Sequence, residues 1–495
     1  MAIPKVVGTE TEYGIHVVGA TDSNPTTASS VLINAYVAQL VGRVGWDFEG
    51  ESPGRDARGF VLEGAMPPEI ETHLVNTVLT NGARFYVDHA HPEYSTPECA
   101  SVLDLVKHDR AGEVVLERSM AAARRLVPGG GEIVVYKNNS DGKGNSYGCH
   151  ENYLVDRTVP FARLAREVTA HLVTRQVYTG AGKVGCEASS TDPPAFEITQ
   201  RADFFEEEIG LETTLKRPIV NTRDEPHADA TKYRRLHVIT GDANLAEVAT
   251  FLKVGVTAVV LLLVEDGVLT ERELVLANPV QAMRQVSHDL SLRQPLELVT
   301  GESLTAIELQ WELYDSARKY AAERGLAEIG PEEVGTRLLE RWEAVLAGLE
   351  ADPPSLRRQL DWVAKLELIG AYCARHSCGL DDQRVSALDL QYHDMRPSRS
   401  LFRRLDMERL VDEAAVEEAV EQAPRDTRAY FRGECLRRFG PSIVAANWDS
   451  IVFDLGGDPL RRVPMMEPLR GTASHVDTLL DGCGSAAELL RRLGA

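Results

Sequence analysis

Positive charge is the scarcer sign in this chain: 53 lysines and arginines face 75 aspartates and glutamates, for a net charge of −22. That balance excludes a general nucleic-acid binder, which needs a basic footprint, while leaving room for a local arginine-rich groove facing an acidic partner. Cysteine is sparse as well. The seven, at positions 99, 149, 186, 373, 378, 435 and 483, include no CxxC pair, which argues against a disulfide framework or a zinc ribbon and fits a reducing cytoplasm. No apolar run is long enough to span a bilayer. The longest, VGVTAVVLLLV at 254–264, reads as a buried strand or a core helix segment. The opening MAIPKVVGTETEYG turns acidic before a signal-peptide core could form. Internal repeats, low-complexity tracts and a GxxxxGK[ST] phosphate loop are all missing, so any nucleotide would lie on an open sheet. The expectation is a globular cytoplasmic protein with no membrane and no nucleic-acid partner.

What is present reads as α+β, with a sheet early in the chain and helices accumulating later. KVVGTETEYGIHVV (5–18) predicts a first strand with Glu10 and Glu12 on one face. A helix is expected over 29–44, then a Gly/Pro-rich loop over 45–69, longer than connections usually run without a function. A short helix (70–80) and the turn Asn81-Gly82 lead into a strand from Arg84. Further on, helices are expected at 101–126 and 160–178, strands at 132–136 and 235–240, and a polar loop at 137–153. From about 303 the chain becomes helical, with Thr305 and Glu308 spaced as a capping box and ADPPS (351–355) breaking one helix from the next.

The chemistry gathers in three polar clusters. RFYVDHAHPEYSTPE (84–98) puts Arg84, Tyr86 and Asp88 on one face of a strand and Phe85 and Val87 on the other. Glu10 and Glu12 form the second cluster. The third is Arg223, Asp224, Glu225, His227 and His237. Each alone fits a solvated strand face or a satisfied structural network. Together, two strands of carboxylates suit Mg²⁺, which takes hard oxygen ligands and shares its shell with phosphate, and an arginine beside them suits phosphate oxygens. A further carboxylate near a carbonyl can act as nucleophile or general base.

The strings GTETEYG (8–14), NGARFYVDHAHPEYSTPEC (81–99), KNNSDGKGNSYGCHENY (137–153), RPIVNTRDEPHADATKYRRLHVITGDAN (217–244), LDLQYHDMRP (388–397) and APRDTRAYFRG (423–433) resemble, in order, the Pup ligase and Pup deamidase family. That family is similar to the glutamine synthetase and carboxylate-amine ligase class. The resemblance implies a large domain (1–425) with a curved antiparallel sheet forming a nucleotide cradle, packed by helices, and a small C-terminal domain (426–495). It implies ATP and Mg²⁺ as cofactors, and Pup, the prokaryotic ubiquitin-like protein, and pupylated proteins as partners. Carried over, it makes Glu10, Tyr86, Glu93 and His237 metal contacts, Arg84, Thr96, Trp448 and Arg223 nucleotide contacts, and Asp88 the catalytic aspartate.

The two branches share these motifs, and the interval between Glu10 and Asp88 separates them. It is longer than the ligase branch carries, and the excess falls on the 45–69 loop, the mark of the deamidase and depupylase branch. The expected activity is hydrolysis of the side-chain amide at the C-terminal residue of Pup, converting Gln to Glu or releasing Pup from a substrate lysine, with Mg-ATP as a bound cofactor. The alternatives are a Pup–protein ligase that consumes ATP and a silent Pup-binding adaptor.

Overall fold

A computed structural model describes residues 1–19, 24–40, 42–62, 74–127, 131–187, 193–271, 273–457 and 459–494. Ten strands make the main sheet: β1 (Val7–Glu12), β2 (Val44–Trp46), β3 (Asn76–Val78), β4 (Arg84–Asp88), β5 (His91–Ser95), β6 (Cys149–Asp156), β7 (Tyr233–Val238), β8 (Ile443–Ala446), β9 (Ser450–Phe453) and β10 (Arg461–Pro464). Their spatial order is β7-β6-β1-β5-β4-β3-β2-β8-β9-β10. Every pairing is antiparallel except β2 with β8. The expected α+β class, a mostly antiparallel sheet packed by helices, is what the chain forms.

Period-two alternation decides which face of this sheet is core. On β4, Phe85 and Val87 are buried in the main hydrophobic cluster. Phe85 meets Tyr36 of α1 (Pro25–Val37) edge to face, with ring centroids 6.1 Å apart. Arg84, Tyr86 and Asp88 therefore emerge on the opposite face. The apolar run 254–264 lies inside α2 (Glu247–Glu265), whose residues are buried from Glu247 to Val264. Among the described residues it is the one helix long and apolar enough to cross a membrane, and it is wholly enclosed by protein. The capping box forms as expected: the Thr305 hydroxyl accepts from the Glu308 amide at 3.2 Å, and the Glu308 carboxylate accepts from the Thr305 amide at 2.7 Å.

Several elements differ from expectation. The first strand breaks at Tyr13, and Gly14–Val18 pairs separately with Glu132–Tyr136. Helix α1 starts earlier than 29, because Asn24 caps the Thr27 amide and Pro25 takes the first helical position. Part of the expected 45–69 loop is strand β2. Residues 47–62 are irregular, and 63–69 lie outside the described residues. The expected helix at 70–80 contains β3 instead, held by ladders to β2 and β4, while 70–73 lie outside the described residues. The polar loop ends at Cys149, where β6 begins.

A second apolar cluster joins Val44, Trp46 and Val78 to Phe431, Leu436, Ile451, Phe453 and Leu489. The C-terminal strands thus extend the sheet begun by the first hundred residues and share a core with its β2–β3 edge.

Candidate active site

Directly paired residues in an antiparallel ladder put their side chains on the same face. β4 and β5 pair Tyr86 with Glu93 and Asp88 with His91. β1 pairs Glu12 with Glu93 on one side and Glu10 with His150 on the other, and β7 pairs His237 with Asn152. Five neighbouring strands thereby present Asp88, Glu93, Glu12, Glu10, His150 and His237 to one face.

Glu12, Asp88 and Glu93 each bring a carboxylate oxygen, all within 4.8 Å of one another. Burial and the charges of Asp88, Glu12 and Glu10 push Glu93 well above the usual carboxylate range. Burial also works to raise Glu12, but the neighbouring His91 imidazole, helped by His150 and the Gly148 amide, outweighs it and brings the group to about 2. The His91 Nδ1–Glu12 Oε2 distance is 3.3 Å. The Gly148 amide donates to Glu12 Oε1 at 2.8 Å, and a Cβ at Gly148 would stand 2.8 Å from that oxygen and nearer still to His150. At Asp88 the chain turns through His89, a non-glycine residue at φ 49°. The His89 Nδ1 lies 2.8 Å from Asp88 Oδ2, so a left-handed residue, uncommon outside glycine, orients this carboxylate.

Glu10, His150 and His237 form a second convergent group. Asn152 Nδ2 donates to Glu10 Oε1 at 2.8 Å, and Asn152 Oδ1 lies 3.0 Å from His237 Nδ1. With the amide oriented to serve Glu10, His237 must donate from Nδ1, which leaves its Nε2 with a lone pair. Burial holds His237 well below the usual imidazole range and hence neutral. The all-oxygen set fits a hard divalent cation such as Mg²⁺, and Glu93 in particular sits among negative charge that such an ion would offset. The Glu10 set is mixed, with imidazole nitrogens that also suit transition metals.

The cationic wall joins Arg84 of β4 to arginines from farther along the chain. Arg84 is sandwiched between the Tyr86 ring at 3.8 Å and the Trp46 ring at 4.0 Å, and it donates to Asn76 Oδ1 at 3.0 Å. Trp46 meets Trp448 edge to face at 5.2 Å and donates its indole N–H to Glu51 at 2.6 Å. Residues 51–57 dock on the loop bearing Arg223: the Ala57 amide donates to the Thr222 carbonyl at 2.8 Å, and Thr222 donates its hydroxyl to Asp56 at 2.6 Å. Among the described residues, the buried Nε atoms of Arg223 and Arg235 have no hydrogen-bond partner.

The cleft encloses about 1470 Å³ of space including its open mouth, and it continues into an apolar recess of about 580 Å³. The two share Glu10, His227, Arg235 and Trp448. Val6, Val7, Leu154, Pro226 and Pro468 line the recess with Thr96, whose hydroxyl accepts from the Thr9 amide at 3.0 Å. Glu98 closes its end, bonded to Arg428 at 2.8 Å and to Arg432. Arg428 also donates to the carbonyls of His227 (2.6 Å) and Met465 (2.8 Å), and Arg432 donates to those of Gly82 (2.9 Å) and Trp448 (3.0 Å).

Of the residues singled out from sequence, Glu10, Arg84, Tyr86, Asp88, Glu93, Arg223, His237 and Trp448 all line the charged cleft, and Thr96 lines the recess. Sequence reasoning missed His150, Asn152, Arg235, Glu98, Arg428 and Arg432. His150 and Asn152 sit in a stretch read as loop, and their period-two spacing in CHENYLVD was the available signal.

The family model described as Pup-ligase protein matches residues 5–452. The chain belongs to that family. Within it, the chain is 52% identical over 502 residues to the depupylase of Acidothermus cellulolyticus, and 50% identical over 504 residues to the Pup deamidase/depupylase of Mycolicibacterium smegmatis, with 99% of each chain covered in both cases. Among solved structures it superposes on the Pup ligase PafA in complex with Pup, with a TM-score of 0.81 and 32% identity over 97% of this chain and 92% of that one. PafA in complex with ADP gives a TM-score of 0.75 and 35% identity over 82% of this chain and 89% of that one.

Proposed function

We propose that this protein hydrolyses the side-chain amide at the C-terminal residue of Pup, deamidating Gln to Glu and cleaving the isopeptide bond to a substrate lysine, with Mg-ATP bound as cofactor. The observation that carries the reading is Asp88, held by His89 at the rim of a buried carboxylate cluster and beside a cationic wall. Full-length relatives at 50–52% identity named depupylase or Pup deamidase/depupylase favour hydrolysis over ligation. So does the segment 47–62, which lines the cleft through Phe48, Glu51, Pro53 and Leu62.

The apolar recess suits a nucleotide base against Trp448 and Thr96, and Arg84, Arg223 and Arg235 suit its phosphates. Glu12 and Glu93 with Tyr86 on one side, and Glu10 with His150 and His237 on the other, are the groups that would hold metal, with Asp88 left for the carbonyl. When bound, the metal would supply positive charge at the developing oxyanion, with the nucleotide's phosphates helping to hold it. The chain's own part is to orient the reacting groups. Asp88, fixed by His89, acts at the carbonyl as nucleophile or as the base that activates the attacking oxygen. The C–N bond breaks, the carbon gains the oxygen of water, and the departing ammonia or lysine amine takes up a proton. We assign the segment from about 426 onward to a small domain that lends Trp448 to the recess. A cytoplasmic location suits seven free thiols.

The test is Asp88→Asn. It is isosteric and keeps the fold, so nucleotide should still bind while release of ammonia from Gln-ended Pup falls by at least about 10³-fold, the scale of losing a nucleophile or base. Full activity in a folded, nucleotide-binding variant would overturn the assignment.

A further inference from the structure

Outside the cleft, four side chains from four separate elements converge. Cys186 follows the strand Lys183–Val184, Glu197 ends the strand Phe196–Glu197, Asp203 lies in the short 3-10 helix Ala202–Phe204, and His288 is the last residue of the helix Pro279–His288. One donor atom from each falls within 4.8 Å of all the others, and none of the four lines the cleft or its recess. We propose that Cys186, Glu197, Asp203 and His288 form a structural site for a borderline divalent cation such as Zn²⁺.

The donors already stand within about the reach that a four-coordinate shell requires, with both Asp203 oxygens turned toward the group. Bonds of about 2.0–2.3 Å to sulfur, nitrogen and oxygen put donors about 3.3–3.6 Å apart. Cys186 Sγ stands 3.3 Å from Asp203 Oδ2, and His288 Nε2 stands 3.0 Å from Asp203 Oδ1 and 3.6 Å from Glu197 Oε2. The donor set of thiolate, imidazole and two carboxylates is one that Zn²⁺ accepts and Mg²⁺ does not favour. Glu197 is fully buried; its Oε2 accepts from the Ser287 hydroxyl at 3.3 Å, and its Oε1 has no hydrogen-bond partner among the described residues. Among the described residues, the Lys183 ammonium donates to Glu187 at 3.2 Å and to the Gln200 carbonyl at 3.5 Å, and stands off at 3.6 Å from Glu197 and 3.7 Å from Asp203. Lys183 thus offsets charge without completing the shell. The His288 side chain is 25% exposed, which leaves a path for entry. Binding is an exchange: the Cys186 thiol, and His288 where protonated, release their protons to solvent and their lone pairs pass to the metal. No electrons are transferred. The site would tie the two short strands to the helix ending at His288, away from the chemistry.

The probe is Co²⁺ added to the full-length protein after chelator treatment. Occupancy gives a thiolate-to-cobalt charge-transfer band in the near ultraviolet, which the oxygen and nitrogen donors of the cleft cannot produce. Cys186→Ser should abolish the band. His288→Asn should weaken the affinity read from it by at least about tenfold, since even outer partners of metal ligands cost that much. Zn²⁺ should displace the cobalt and raise the melting temperature of the unmodified protein more than that of Cys186→Ser, with Pup hydrolysis by that variant unchanged. No band, or a band that survives in Cys186→Ser, overturns the proposal, as does an equal thermal response of the two proteins to Zn²⁺.

Discussion

Replacing Glu98 with Gln removes the charge on which two buried arginines depend. The Glu98 carboxylate is bonded to Arg428 and Arg432, whose side chains are 3% and 0% exposed. Burial alone would raise Glu98, but the charges of Arg432 and Arg428 outweigh it and hold the group at about 2. A depression of that size corresponds to roughly 3 kcal/mol, at about 1.4 kcal/mol per pH unit, and breaking a buried pair from one side costs about 3–5 kcal/mol. Because the folded-state pKa is the lower one, the stabilisation is complete above the unfolded carboxylate range and is lost as pH falls through about 2. Glu98→Gln should therefore unfold more easily than the unmodified protein by roughly 3 kcal/mol at neutral pH. The gap should narrow steadily below about pH 4. Denaturant titration followed by tryptophan fluorescence reads this locally, since Arg432 also bonds the Trp448 carbonyl. Equal stability at neutral pH, or a gap that stays constant into acid, would refute the reasoning.

Three further outcomes are expected. Trp448→Ala removes the aromatic wall shared by cleft and recess, so the Kd for ATP by calorimetry should rise by about 1–3 kcal/mol of lost stacking, with smaller change in turnover at saturating ATP. Arg84→Lys keeps the charge but loses the planar fit between Trp46 and Tyr86 and should weaken nucleotide binding by about 1–2 kcal/mol; an unchanged Kd would count against a phosphate role. Chelation should stop Pup hydrolysis and added Mg²⁺ restore it, and Glu93→Gln should move the half-saturating Mg²⁺ concentration up by at least about tenfold. Hydrolysis indifferent to chelator would remove metal from the account.

The parts of this fold visible in sequence are those specified by local pattern. Phe85 and Val87 alternate with Arg84, Tyr86 and Asp88 over a span long enough to read. The Thr305–Glu308 box announces its helix from within four residues. The elements that escaped are stabilised from far away. β2 and β3 are three-residue strands whose ladders depend on β4 and on β8, some 400 residues later in the chain, so the β-branched Thr77-Val78 gave a strand signal too short to outweigh the helix reading. His150 and Asn152 were hidden because the polar residues before Cys149 dominate the stretch. Arg235, Arg428 and Arg432 gain their meaning only from what they face, namely an open cleft in one case and Glu98 in the others. The run at 254–264 could be strand or helix by composition, and its burial on all sides as helix settles the matter.

The central claim is that the cleft hydrolyses Pup and treats nucleotide as a cofactor. The most direct measurement is mass spectrometry of Pup ending in Gln, incubated with the protein and Mg-ATP while ADP release is followed in the same tube. The terminal amide should be converted to the acid over many turnovers without a matching yield of ADP. Unchanged Gln-ended Pup, together with ATP-consuming attachment of Glu-ended Pup to a lysine, would contradict it and make the chain a ligase.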